Sequence, residues 1–170
     1  MPKDSSGTNS ACDLCTRNKE LNGEGCGPQS SIILKKDLLT TEEVDRIIEF
    51  AATIQDRAIF CVLFDSGRRF GEIIGLRIGD VEFDTIGAKL AVDGKAGKDI
   101  VRISASAPTM TTWIDNHPAR NNPAAPLWIL VVSEIRQMTH NALKIRLRKA
   151  VKRAGITKES EPYLFRHSRT

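Results

Sequence analysis

A chain of 170 residues with 41% hydrophobic content is about one domain's worth and can bury one real core. No run approaches the roughly 20 apolar residues of a membrane span, and no basic-then-apolar leader opens the chain. The sequence therefore reads as soluble and cytoplasmic, with no membrane partner. The net charge of +4 is modest, but residues 131–170 hold ten Lys or Arg against three acids, a surplus of seven. That surplus favours a polyanion partner, and a solvated basic helix is the plainer alternative.

Residues 1–36 are rich in Ser, Gly, Asn and charge without a sustained period, and read as an irregular arm. Cys12-Asp13-Leu14-Cys15 is half of a zinc knuckle, and Cys26-Gly27 looks like the start of a second half whose fourth ligand does not arrive. Cys12, Cys15 and Cys26 are a weak metal candidate, weighed against three ordinary thiols in a loose arm. Without a secretory signal, disulfides are not expected. Cys61, between Phe60 and Val62, reads as a small buried hydrophobe.

The folded part is expected from residue 37. Thr40 and Glu43 have capping-box spacing, and Val44, Ile47, Ile48 and Ala51 follow at helical intervals. The next helix, about 55–64, is apolar nearly all round and suits a buried spine. It leads into Asp65-Ser66-Gly67-Arg68-Arg69-Phe70-Gly71-Glu72, where Gly67 allows a turn of positive φ and a new helix opens on a cation. Arg69 offers a planar fork of donors that matches two phosphate oxygens, and Glu72 one turn on can hold the segment in place. Arg68 is read either as a backbone-phosphate contact or as a solvated side chain.

Residues 81–83, 90–93 and 100–103 are β-branched or alternating and are separated by Gly-containing turns, which suits a three-stranded antiparallel sheet. Lys95 falls at the second turn, with Lys98 its competitor for the same outward reach. A helix over 109–116 ends before Pro118, a proline-rich crossing loop runs to Pro126, and 127–132 is apolar, either extended or helical. Residues 139–154 form the clearest amphipathic helix. Leu143, Leu147, Ala150 and Val151 lie on one side, and Lys144, Arg148, Lys149, Lys152 and Arg153 on the other, with Gly155 as a stop. Its basic face can follow a DNA backbone without reading sequence. His117 and His140 read as ordinary loop and helix-surface residues. A last helix opens at Pro162, placing Tyr163 and Arg166 one turn apart.

Three basic boxes in this order, Gly67-Arg68-Arg69, Gly94-Lys95-Ala96-Gly97-Lys98 and Tyr163-Leu164-Phe165-Arg166-His167, resemble the catalytic domain of the tyrosine recombinase (phage integrase) family. Trp113-Ile114-Asp115-Asn116-His117-Pro118 and Ala125-Pro126-Leu127-Trp128 are similar to archaeal members. The resemblance covers residues 37–170. It implies an α+β fold, a mainly helical catalytic domain with a small three-stranded antiparallel sheet, here C-terminally incomplete.

It also implies site-specific recombination or integration, by DNA strand cleavage and rejoining through a phosphotyrosyl intermediate. Arg69 and Arg166 would clamp the phosphate, and Lys95, which directly follows a glycine as in the family's G-K box, would protonate the leaving 5′ oxygen. His167 would be a supporting group. No cofactor is expected, and the implied partners are double-stranded DNA and other recombinase subunits.

Two departures matter. The one tyrosine, Tyr163, stands where the family more often has the histidine of its H-x-x-R box. There it can donate a hydrogen bond to phosphate, but it is a poor nucleophile candidate, and the later tyrosine box is missing from this sequence. The arm before residue 37 also differs from the helical DNA-binding domain that integrases usually carry there. The chain is thus expected to be a fragment, inactive alone. The alternatives are a catalytically inactive DNA-binding or regulatory module, and a zinc-dependent contact arm.

Overall fold

A computed structural model describes residues 38–94, 97–131 and 134–157. The cysteine arm, Lys95, Tyr163, Arg166 and His167 lie outside the described residues. Helix α1 (Thr41–Glu49) opens on the expected capping box. The Glu43 carboxylate accepts the Thr40 N–H at 2.8 Å, and the Thr40 hydroxyl accepts the Glu43 N–H at 3.3 Å. Val44 and Ile47 go to the core.

Helix α2 (Ile54–Ser66) is a turn longer than its apolar run suggests, because Thr53 caps its start and Gly67, at φ 59°, ends it. Ala58, Ile59, Phe60, Val62 and Leu63 are buried, so this is the spine. Gln55 and Asp56 are buried with them, and both are partnered. Gln55 exchanges two hydrogen bonds with the backbone of Ile129, and Asp56 accepts from Arg146 at 2.7 Å. Cys61 is half-buried, and burial raises its thiol pKa against a hydrogen bond with Thr109.

After the short α3 (Phe70–Ile74) and a 3-10 turn at Ile78–Asp80 come β1 (Val81–Asp84), β2 (Gly87–Gly94) and β3 (Gly97–Ile103). They form one antiparallel sheet in the order β1-β2-β3. The register pairs Leu90 with Val101 and Gly94 with Gly97. Ala88, Leu90, Val92, Val101 and Ile103 are buried. The alternate positions on β2 and β3, among them Lys89, Asp93, Lys98 and Arg102, share the other face by the twofold period of a strand.

Helix α4 (Ala107–Asp115) buries Trp113, whose indole N–H donates to the Leu127 carbonyl at 2.9 Å. The crossing loop is laced to the 3-10 segment by Ile78 N–H to the Ala125 carbonyl at 3.0 Å and Gly79 N–H to the Pro123 carbonyl at 2.9 Å. His117 is in this loop as expected, but it is buried. Its ring stands edge-on to Trp113 at 5.0 Å, its Nδ1 accepts the Ala119 N–H, and burial lowers its pKa.

Within the apolar stretch that begins at Leu127, residues Ile129–Val131 are extended. β4 (Ile129–Val131) pairs with β5 (Ile135–Gln137) in a second antiparallel sheet that the sequence pattern did not separate. Helix α5 (His140–Arg153) is capped by Thr139, and Gly155 follows at φ 68°. It buries Leu143, Leu147, Ala150 and Val151 as its periodicity predicts.

Candidate nucleic-acid interface

The site is built on the turn between α2 and α3. Its residues are Gly67, Arg68 and Arg69, and the two arginines are used differently. Gly67 takes the left-handed conformation that no branched side chain adopts cheaply, and its N–H returns to the Leu63 carbonyl at 3.2 Å. Arg68 comes next, its N–H bonded to the Ser66 hydroxyl at 3.3 Å. Arg69 is the N-cap of α3 and is exposed. Among the described residues no ion pair engages its guanidinium, so the fork stays available to an anion.

Glu72 holds this segment as expected, but it acts on the backbone. Its carboxylate accepts the Arg69 N–H at 3.3 Å, which fixes the start of α3 and leaves the guanidinium uncommitted. The other Glu72 oxygen lies 4.0 Å from where a Cβ on Gly94 would stand. The turn bearing Arg69 is thus beside the end of the β2–β3 hairpin, next in sequence to Lys95.

Arg68 reaches that hairpin too, pairing with Asp99 on β3. The side chains keep 34% and 52% of their exposure, so a phosphate contact from Arg68 has to compete with this pair. Lys98 is exposed on β3 opposite Asp93. Lys89 and Arg102 are drawn to Asp84, at 3.8 and 2.8 Å, and Arg102 holds that carboxyl below its usual range. A cleft of about 100 Å³ beside α3 is lined by Glu72, Asp80 and Asp93, carboxylates that repel phosphate.

On α5, Lys149 and Lys152 are exposed, Arg148 is exposed with an interaction of its own, and Lys144 is half-buried and also engaged. Arg146, counted in the basic surplus, turns inward to Asp56 and is not part of the outer face. His140, the first residue of α5, is exposed, as its sequence reading has it. The structure sets it against α3, with its ring edge-on to Phe70 at 6.0 Å. Only the contact across 70 residues reveals this, and no local signal marks it. Among the described residues no group of three or more His, Cys, Asp or Glu is placed to hold a metal.

A helical scaffold with a small antiparallel sheet, presenting an arginine at a helix start beside a basic hairpin, is the architecture of a tyrosine recombinase catalytic domain. The chain belongs to the phage integrase family, whose model matches residues 37–170. A tyrosine recombinase XerC of Haemophilus ducreyi is 28% identical over 127 residues, covering 74% of this chain and 40% of that protein. A tyrosine recombinase XerA of Pyrococcus furiosus is 31% identical over 137 residues, covering 76% of this chain and 45% of its own length.

The crystal structure of a XerA recombinase matches with a TM-score of 0.69 at 23% identity, over 85% of this chain and 50% of that one. A XerH site-specific recombinase bound to a palindromic difH substrate in a post-cleavage complex gives a TM-score of 0.62 at 18% identity, over 78% and 40%. At those identities the structural likeness establishes the fold. The chain spans less than half the length of the two relatives.

Proposed function

We propose that this chain is the phosphate-clamping part of a site-specific DNA recombinase that breaks and rejoins strands through a phosphotyrosyl intermediate. The observation that carries the reading is the exposed Arg69 fork, held by the Gly67 turn and the Glu72 backbone bond beside the hairpin that leads to Lys95. Attack on a phosphodiester needs charge neutralised on the non-bridging oxygens, a nucleophile, and an acid for the leaving oxygen. Arg69 serves the first need, with Arg166 as its proposed second arm. Lys95 is the proposed acid, and Tyr163 the proposed hydroxyl donor to phosphate. Lys98, Lys144, Arg148, Lys149, Lys152, His167 and a released Arg68 are proposed to follow the duplex backbone.

Tyr163 is the one tyrosine of these 170 residues and matches the histidine position of its box, so it is proposed as a phosphate contact and not as the nucleophile. Loss of the nucleophile from a cooperating catalytic set costs on the order of a millionfold in rate. The same fact favours a second reading, a DNA-binding or regulatory module that does not cleave. The test mixes the chain with a recombinase chain that keeps its tyrosine but lacks its first arginine, on a nicked suicide duplex. Covalent protein–DNA product that disappears with Arg69→Ala supports the recombinase reading. Tight binding with no product from any such pairing supports the non-cleaving module.

A further inference from the structure

We propose that His140 is a positioning residue for the Arg69 clamp, acting through Phe70 and the bare α-carbon of Gly71; the inference rests on the recombinase reading above. Gly71 sits inside α3, where alanine would favour the helix by about 1 kcal/mol. Its φ is not in the left-handed range, so the conformation does not require glycine. The space does. A Cβ at Gly71 would stand 3.3 Å from His140 Nε2 and 3.4 Å from Cε1, tighter than an ordinary contact.

His140 is exposed, yet its ring lies where two helices begin. One side of its ring approaches Gly71, and its edge meets the Phe70 ring at 6.0 Å and an interplanar angle of 68°. Phe70 directly follows Arg69 and packs on the core. The wedge sets how the first turn of α3 lies against the first turn of α5. A small rotation there is carried outward along the arginine side chain, and a bidentate grip tolerates only about 0.5 Å of misplacement. Because α5 also carries Lys149 and Lys152, the wedge fixes the spacing between the clamp and the basic face.

The test uses the full chain and a plain DNA duplex, with affinity followed against salt concentration and thermal unfolding run in parallel. Gly71→Ala should lower the salt slope by about 0.9, one phosphate contact, so its affinity falls about 3.5-fold less than wild type's over a fourfold rise in salt. His140→Ala should give the same loss, and the double variant should be no worse than either single one. His140→Phe, which keeps a ring against Phe70 without a polar atom, should retain most of the slope.

An unchanged slope in Gly71→Ala, or losses that add in the double variant, overturns the proposal. So does a His140→Lys variant that keeps the slope while His140→Phe loses it, because that pattern marks a direct phosphate contact. A purely structural role would lower the melting temperature and leave the slope alone. Wild-type chain without salt-dependent binding removes the recombinase reading itself, whereas a wild-type slope with an indifferent Gly71→Ala removes only the wedge.

Discussion

Gln55→Leu removes a polar side chain from the core at nearly constant volume, and simple burial arithmetic would score it as stabilising. The structure predicts the opposite. Ile129 pairs with Gln137 across β5, and its backbone is also held by Gln55. The Gln55 amide N–H donates to the Ile129 carbonyl at 2.9 Å, and its amide oxygen accepts the Ile129 N–H at 2.8 Å. One side chain on α2 thus does the work of a neighbouring strand for β4. Gln55 is 6% exposed and Ile129 2%, so water does not replace it.

Leucine leaves two buried backbone groups unsatisfied, at about 1–3 kcal/mol each, offset by about 1–2 kcal/mol of gained apolar burial. A net loss of about 2–3 kcal/mol follows, which for a folded part of this size lowers the melting temperature by roughly 10 °C. Urea unfolding of both proteins, with the slope m checked for constancy, measures it. Stability equal to or above wild type would refute the strand-surrogate role. Gln55→Glu separates the two bonds, since a carboxylate accepts from the Ile129 N–H but cannot donate to its carbonyl.

Asp99→Asn should release Arg68 at little cost in stability, under about 1 kcal/mol for so exposed a pair, while the DNA salt slope steepens by about 0.9. Burial depresses the His117 pKa, so the unfolded chain takes up a proton that the folded chain refuses. Stability is then full above the ordinary value of 6.5 and falls as the pH drops below it. Urea midpoints at pH 7.5 and 5.5 check this, and the pH effect should shrink in His117→Asn, which keeps an acceptor for the Ala119 N–H. Arg69→Ala should weaken DNA binding and flatten its salt slope without moving the melting temperature by more than about 2 °C, because among the described residues no ion pair engages its guanidinium. Cys61, with its thiol pKa raised by burial, should react with iodoacetamide far more slowly at pH 7.5 than a free thiol, a rate read by mass spectrometry of the Cys61 peptide.

Wherever the controlling contact was local, the sequence showed it. The Thr40–Glu43 box, the Gly67 stop, the short strands between glycine turns, and the apolar stripe of α5 all depend on residues close in sequence. The family resemblance of residues 37–170 rested on such local boxes as well. What stayed hidden depends on distance. The apolar run 127–132 has no alternation to separate strand from helix, and Leu127 and Ile129 are held by Gln55, Trp113 and Leu76 from elsewhere in the chain. The loop around His117 looked like a surface crossing because it is rich in proline and asparagine, yet Trp113 and the Ala119 N–H give the imidazole a buried seat. Arg68, a phosphate contact or a solvated side chain by sequence, pairs with Asp99, and Arg146, counted in the basic surplus, pairs with Asp56.

The same distinction explains how the proposed clamp can be both firm and open. If Glu72 paired with the Arg69 guanidinium, as three-residue spacing on a helix invites, the site would have to break an ion pair before taking a phosphate. The carboxylate instead accepts a backbone N–H, so the arginine's position is fixed through its main chain and its side chain remains unspent. Glu72→Gln keeps an oxygen that can accept that bond, and it should leave the melting temperature within about 2 °C of wild type. It also removes a negative charge beside the phosphate, which should tighten DNA binding at low salt. Glu72→Ala removes the bond itself, lowering stability by about 1 kcal/mol, the ordinary cost of a lost cap. DNA titrations on the two variants should therefore diverge, with Glu72→Gln above wild type and Glu72→Ala below it. Equal weakening in both would mean that Glu72 grips the guanidinium after all when DNA is bound.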